Sequence, residues 1–433
     1  MPRRLVVVGG GAAGMSAASA ARRIDPELGI VVLEAGGYVS YGVCGLPYYL
    51  SGVVEHAEEL LAHPASWFVE HRRLDLRLHA RAVALDPDRR VVRYVQDGAQ
   101  HDLSYTALVV AAGGAPTVPE LPGPPRPTFT IRTLEDAIAL RSLLDAGTVR
   151  SALVVGAGYI GLEMAEALHA RGCAVTVVER LPRVLTTLDA EVAARVEDHV
   201  REHVELRLGV GSEPLPAADV VVLATGVVPT GGIAADAGAT TGPRGALLVD
   251  DRMRTSLPGV WAAGDCIAPW HRVLGAPAFV PLGPAANKTG RVAGTVAAGG
   301  DATFDGVVGT AVVKVFDLEV AHTGLTHEQA GAAGLAAVAT DVVGRSRAKY
   351  YPGATPLHVR LVHEAGGRLL GAQLVGREGA AKRIDVTATA LHAGLTVTDL
   401  AALDLSYAPP YAPVYDPLIL AAQAARRKLV AAV

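Results

Sequence analysis

The sequence predicts an α/β protein made of two copies of one strand, turn, helix, strand unit followed by an α+β domain. Three observations predict it. A strand-like run at 5–8, a Gly-rich turn at 9–14, an Ala-rich helix to Arg23 and a second strand at 30–33 return in the same order at 152–155, 156–161, a helix through Ala170, and Ala174–Val178, as strands joined by crossover helices do. Half of the 433 residues are hydrophobic but only 5% are aromatic, with 48 glycines between them, a mixture that suits layered α/β structure with tight turns rather than a β-sandwich. From about Val307 the pattern changes to alternating runs at 312–316, 357–362 and 369–375, followed by helical segments, which reads as a separate α+β domain.

Between the two units, 91–94 and 108–111 read as strands and the Pro-rich stretch 116–127 as a linker. The segment 245–264 has β-type residues and ends in Gly264-Asp265; a Pro-rich loop and a helix near 285–298 follow. The last segment, 420–428, reads as a short amphipathic helix with Arg426, Arg427 and Lys428 in its final turn. A chain of this length exceeds one core and predicts two or three domains.

A net charge of −4 gives no overall attraction to nucleic acid, although a local basic pocket for a phosphorylated ligand is compatible with it. Residues 1–20 superficially resemble a signal peptide, with Arg3 and Arg4 ahead of an apolar run; they read better as a buried strand entering the first Gly-rich turn. The uncharged, strongly apolar run 220–235 contains Pro229 and three glycines and falls short of the ~20 residues of a spanning helix, so no membrane segment is expected. Cys44, Cys173 and Cys266 are far apart and odd in number, which points away from a disulfide framework and toward a reducing, cytoplasmic setting. No metal site is read from the sequence.

Gly9-x-Gly11-x-x-Gly14 follows a strand and opens a helix, and Glu34 ends the next strand. This is the context of a Rossmann dinucleotide site: the first Gly permits the turn, the second admits the pyrophosphate, and the third lets helix and strand pack, while the acidic residue accepts from a ribose diol. Gly156-x-Gly158-x-x-Gly161 with Glu179 repeats the arrangement. Glu179 would repel a 2′-phosphate, so NADH is expected over NADPH, with Arg180 beside it able to accommodate some NADPH.

The order of the two fingerprints, the segment 255–265 (TSLPGVWAAGD), and the strand-loops at 111–114 and Ala224-Thr225-Gly226 resemble the pyridine nucleotide-disulfide oxidoreductase family over essentially the whole chain. The resemblance implies that the first fingerprint holds FAD and the second NADH or NADPH. It makes Gly113 and Asp265 cofactor-binding positions, with Asp265 bonded to the ribityl chain. It also implies an FAD domain from 1–112 and 243–306, a nicotinamide domain at 113–242 and a C-terminal dimerisation domain at 307–433, and hence a homodimer.

Cys44 lies in 40–49 (SYGVCGLPYY), bracketed by Gly42 and Gly45. Most isolated cysteines are inert; here the glycines permit close approach of a flat ring or substrate, and a following helix N-terminus would favour a thiolate. Dithiol members of the family carry a second cysteine nearby, whereas the next one here is Cys173. The chain therefore resembles the single-cysteine branch of coenzyme A-disulfide reductases, persulfide reductases, NADH oxidases and NADH peroxidases. Oxidases and peroxidases of that branch usually have a His where this chain has Ala12.

Segments 350–353 (YYPG), 375–385 (VGREGAAKRID) and 407–411 (YAPPY) resemble coenzyme A-disulfide reductases, which implies that Tyr350 and Tyr407 of one subunit reach the cysteine of the other, so that the active site is shared across the dimer. A phenol there can hold a thiolate and return a proton; the plain alternative is interface packing. Ser40, Arg23 and Arg72 match coenzyme A-contacting positions, while Val43 stands where some members have Asn. The region 204–219 is shorter than usual, and no sulfurtransferase domain follows 433, which tilts against a dedicated persulfide pathway.

The activity so implied is NAD(P)H-dependent reduction of coenzyme A disulfide through FAD and a mixed disulfide on Cys44. NADH oxidase, or reduction of coenzyme A persulfide or polysulfide, is the alternative on the same scaffold. A non-catalytic redox-sensing flavoprotein, in which Cys44 is dispensable, is a further alternative.

Overall fold

The computed structural model describes residues 3–121, 126–211 and 215–430. Strands whose every side chain is apolar need cover on both faces, and parallel sheets flanked by helices provide it. Arg4–Val8 lies between Gly29–Leu33 and Ala107–Val110, with Asp75–Arg77 and Val260–Ala262 on the outside, all parallel. The segment at 245–264 thus returns a strand to the first sheet. The second sheet repeats the plan: Ser151–Val155 is flanked by Ala174–Val178 and Val220–Leu223, with Glu205–Arg207 and Thr128–Phe129 at the edges. In both, the chain leaves the central strand in one direction and later returns on its other side. That reversal is the switch point at which such sheets bind ligands, and each Gly-rich turn sits there.

The Pro-rich stretch 116–127 begins in strand Gly114–Pro116, which pairs antiparallel with Val227–Pro229; residues 122–125 lie outside the described residues, as do 212–214 within the short region 204–219. Residues 91–94 belong to the middle strand, Val91–Gln96, of a small antiparallel sheet.

Helix Gly283–Ala297 lies against helix Ala12–Ile24 at a separation that only glycine allows. A Cβ on Gly290 would stand 2.2 Å from the Ala13 carbonyl oxygen, and one on Gly294 2.0 Å from that of Ala17. This close approach carries Asn287 and Arg291 to the side of the first Gly-rich turn.

The C-terminal domain is a five-stranded antiparallel sheet in the order Ala311–Val315, Leu318–Gly324, Leu369–Gly376, Pro356–Glu364, Ala337–Arg345, packed by helices Ala380–Ala393 and Pro417–Val430. Leu369–Gly376 is buried along its whole length. Val313, Val315, Leu318 and Val375 share one core with Leu162, Val192 and Val196 of the second nucleotide unit, so the two bodies are fused through apolar contact. A buried polar joint fixes their register: Asp189, 1% exposed, accepts from Gln373 Nε2 at 2.6 Å and from the backbone N–H of His327 and Glu328. Arg360 adds a cation 3.4 Å away and also binds Asp341 and Glu191, so no charge in the joint is left alone.

Among the described residues, no helix is long and apolar enough to cross a membrane.

Candidate active site

Some helices in this chain are capped by side chains and others are not. Leu134–Asp145 and His327–Ala332 are sealed by Thr133 and Thr326, whose hydroxyls take first-turn N–H groups. Ala12–Ile24 and Tyr159–Ala170 begin at Gly11 and Gly158, with no side-chain cap and no acidic residue in the first turn. Their free N–H groups and the positive end of the helix dipole are left for an anion. The cradle is tight: a Cβ on Gly14 would lie 1.8 Å from Gly9 O, and one on Gly161 1.9 Å from Gly156 O. Gly9 and Gly156 have φ of +103° and +106°, which only glycine adopts readily. Glu34 accepts from the N–H of Gly10 (2.6 Å) and Gly36 (2.7 Å); Glu179 accepts from Ala157 (2.8 Å) and Leu181 (2.8 Å). Each carboxylate is held rigidly beside its Gly-rich turn. Each of these two cradles fits the pyrophosphate of a dinucleotide.

Asp265, in the short turn Gly264–Cys266, is bound by Arg132 Nη2 at 3.0 Å. The same guanidinium lies 3.4 Å from where a Cβ on Gly113 would stand. Gly113 and Asp265 are therefore brought together by Arg132, a residue the sequence reading does not single out.

Cys44 sits inside the turn Val43–Gly45, ahead of helix Leu46–Ser51, and is exposed, whereas Cys173 and Cys266 are buried. The loop is tied down by Gly42 N–H to Leu60 O and Ala62 N–H to Ser40 O, both 2.8 Å. Gly45 owes its identity to Leu60, whose Cδ2 would be 2.4 Å from a Cβ there; it serves packing rather than the approach of a ring, while space remains open over Gly42.

The expectation that the protein favours a thiolate through the following helix is corrected. Desolvation by the surrounding protein raises the Cys44 thiol, and the carboxylates of Glu163 and Asp265 raise it further, with Arg132 opposing them. The helix has only six residues, too few for its dipole to offset two carboxylates.

Glu163 is the second residue after Gly161; the matching position after Gly14 is Ser16. That difference between the two copies was the available signal for it. Burial, and then the charge of Glu166, push the Glu163 carboxyl up to about 7. Below its ordinary value both folded and unfolded chains hold this proton and the group has no effect on stability. As pH rises toward 7 the folded protein retains a proton that the unfolded chain releases, so stability falls, and above 7 the full penalty is in place. Glu163→Gln should therefore gain stability over the parent progressively from pH 5 to pH 8, by roughly 1–3 kcal/mol at the upper end. Thermal unfolding at stepped pH reads this; a difference independent of pH would contradict it.

A cleft of about 360 Å³ runs along helices Ala12–Ile24 and Ala65–Arg72 and is lined by Arg23, Ser40, His63, Trp67, Arg72 and Arg291 among others. Of the four sequence-adjacent arginines, Arg22 is spent on the carbonyls of Arg72, Arg73 and Pro26, and Arg73 on that of Pro26; Arg23 and Arg72 remain on the cleft. Arg72 lies 5.2 Å over the Trp67 ring, and its Nε is buried without a partner. Trp67 is stacked with His63 (4.0 Å) and with His71 (5.0 Å). His63, Asn287 and Arg291 enter this wall from outside the sequence-predicted set. Three arginines, one of them with an unpartnered Nε, fit a ligand that carries phosphates. Ala12 also lines the cleft.

Tyr350 and Tyr407 come together, hydroxyl to hydroxyl at 3.4 Å, on the surface of the C-terminal domain. The Tyr350 hydrogen bond raises the Tyr407 phenol. The Ala348 N–H donates to Pro409 O at 3.1 Å and holds their two segments side by side. Tyr411, Val414 and Tyr415, close to Tyr407 in sequence, are largely exposed as well.

Comparison with known proteins gives consistent results. The family described as pyridine nucleotide-disulphide oxidoreductase matches residues 3–290, and the dimerisation domain of that family matches 310–417. A Pyrococcus horikoshii protein named NAD(P)H coenzyme A polysulfide/persulfide reductase is 38% identical over 98% of both chains. A Staphylococcus aureus coenzyme A disulfide reductase is 31% identical over 96% of this chain and 98% of its own. The crystal structure of reduced Bacillus anthracis CoADR-RHD superposes with a TM-score of 0.96 at 35% identity, covering all of this chain and 82% of that one. A relative named for persulfide reduction is thus matched along 98% of its own length.

Proposed function

The chain belongs to the pyridine nucleotide-disulfide oxidoreductase family, and from that premise we propose that it is an NAD(P)H-dependent flavoprotein reductase that cleaves the sulfur–sulfur bond of coenzyme A disulfide at Cys44. One observation carries the reading: the single exposed thiol stands on a loop pinned to the wall of a cleft lined by Arg23, Arg72 and Arg291. The cations suit the phosphates of coenzyme A, and Ser40, which lines the same cleft, stands four residues before the thiol.

FAD, bound at Gly9, Gly11, Gly14, Glu34, Gly113 and Asp265, supplies a two-electron relay from the nicotinamide to the thiol. Cys44 as thiolate attacks one sulfur of the disulfide; the first coenzyme A leaves and takes a proton, and a mixed disulfide remains on Cys44. Two electrons and one proton would then release the second coenzyme A as its thiol and return Cys44 to the thiolate. Since the protein by itself raises Cys44, the Glu163 proton matters: a neutral Glu163 removes one of the two carboxylate charges that oppose the thiolate.

Gly156, Gly158, Gly161 and Glu179 hold the nicotinamide nucleotide. NADH is the favoured donor, because the fixed Glu179 carboxylate would meet a 2′-phosphate with like charge. The dimerisation domain makes the enzyme a homodimer, in which Tyr350 and Tyr407 of one subunit close over Cys44 of the other; their exposure in the single chain supports this. Three unpaired cysteines support a cytoplasmic setting.

A second acceptor, coenzyme A persulfide, is favoured by the likeness to the Pyrococcus protein and would use the same thiol and cleft. The replacement of the oxidase-type His by Ala12 supports a sulfur acceptor over oxygen. Anaerobic titration of the oxidised enzyme with NADH, followed by mass spectrometry, should release about one coenzyme A per subunit. No released thiol, with Cys44 found as sulfenic acid, would overturn the reading.

A further inference from the structure

Away from this site, the hairpin turn between Ala311–Val315 and Leu318–Gly324 meets the C-terminal end of helix Ala190–Arg201. Phe316 in that turn has φ +54°, an uncommon conformation for a bulky residue. It is held there by its N–H bond to Glu166 (2.8 Å) and by stacking on His203 at 4.2 Å and 10°.

His199, His203 and Asp317 each turn one donor atom toward a common point, the three atoms lying within 4.8 Å of one another. Nε2 of His199 and Nε2 of His203 are both buried with no hydrogen-bond partner. Asp317 Oδ1 approaches His199 Nε2 to 2.6 Å, out of line for a hydrogen bond. A desolvated ring nitrogen without a partner is costly, and His199 is only 6% exposed. The remaining polar atoms are arranged as a ligand set requires. Glu202 Oε2 lies 3.2 Å from His199 Nδ1, which leaves Nε2 as the free lone pair, and Arg377 occupies Asp317 Oδ2 and leaves Oδ1.

We propose that His199, His203 and Asp317 bind a divalent metal ion of the zinc class, which ties the second nucleotide unit to the C-terminal domain. Two imidazoles and one carboxylate form a borderline N/O donor set with a fourth position for water, and the Glu202–His199 pair is the carboxylate–histidine support that such sites use. Around a tetrahedral ion the donor atoms stand about 3.3 Å apart, so Asp317 Oδ1 has to draw back from its 2.6 Å approach to His199 Nε2, a shift its exposed side chain can make. His199 and His203 lie at helical i, i+4 spacing, but Asp317 comes from another domain, so the sequence alone offered no complete pattern.

The test uses tag-free, FAD-loaded protein carrying Cys44→Ser, which removes the accessible thiol as a competing ligand. After dialysis against zinc and then zinc-free buffer, plasma mass spectrometry should find about one zinc per chain, falling about tenfold in His203→Asn and in Asp317→Asn. Zinc should raise Tm of the parent by roughly 2–4 °C and leave that of both variants unchanged. Asp317 is exposed in a turn, so its variant probes ligation without disturbing a core. Zinc retained equally by both variants, or absent from the parent, overturns the proposal.

Discussion

Cys44→Ser should lower turnover with coenzyme A disulfide or persulfide by roughly 10³-fold or more, while NADH still reduces the bound flavin in a stopped-flow experiment. No other thiol can substitute. Cys173 is 5% exposed, and Cys266 is wholly buried with burial pushing its thiol up to about 11. Serine keeps the shape of the loop but is a far weaker nucleophile at neutral pH. The split between lost sulfur chemistry and retained hydride transfer separates a thiol enzyme from a flavoprotein that merely carries electrons, since a carrier would keep full turnover with every acceptor.

The second large effect concerns the tyrosines. The double variant Tyr350→Phe, Tyr407→Phe should reduce kcat by about 10²–10⁴-fold, the usual contribution of a placed proton donor, with a smaller change in KM. A subunit-mixing experiment distinguishes a shared site from one complete in each chain. When Cys44→Ser subunits are reassembled with double-Phe subunits, each heterodimer has one site that pairs an intact cysteine with intact tyrosines from the other chain. Activity should return to about a quarter of the parent level, since half of the dimers are mixed and each has one working site of two. No recovery would place the tyrosines with the cysteine of their own chain, or outside the reaction altogether.

The α/β class and the paired nucleotide units were legible because their signals are local. A strand, a turn such as Gly9 to Gly14 and the helix it opens are adjacent in sequence, and the clash that demands glycine at 14, 1.8 Å from Gly9 O, arises within six residues. The same holds for the second unit and for the alternation along 357–362 and 369–375. The site was legible only where a residue stood beside such a signal. Cys44 could be singled out between its glycines, but Gly45 turned out to answer to Leu60, and the thiol's charge environment came from Glu163, Asp265 and Arg132 on three other segments. Arg291 reached the cleft through two helices that approach at Gly290 and Gly294, a contact between elements far apart in the chain.

By itself, then, the sequence determined which segments become strands and helices, which turns can cradle a pyrophosphate, and which cysteine stands in a glycine-bracketed loop, because backbone sterics and hydrophobic periodicity act over a few residues. Only the tertiary structure decided that two carboxylates oppose the Cys44 thiolate, that Arg22 and Arg73 are spent on backbone carbonyls while Arg23 and Arg72 face the cleft, and that His199, His203 and Asp317 converge. Desolvation and charge depend on distance through space, and packing alone sets which distant groups become neighbours.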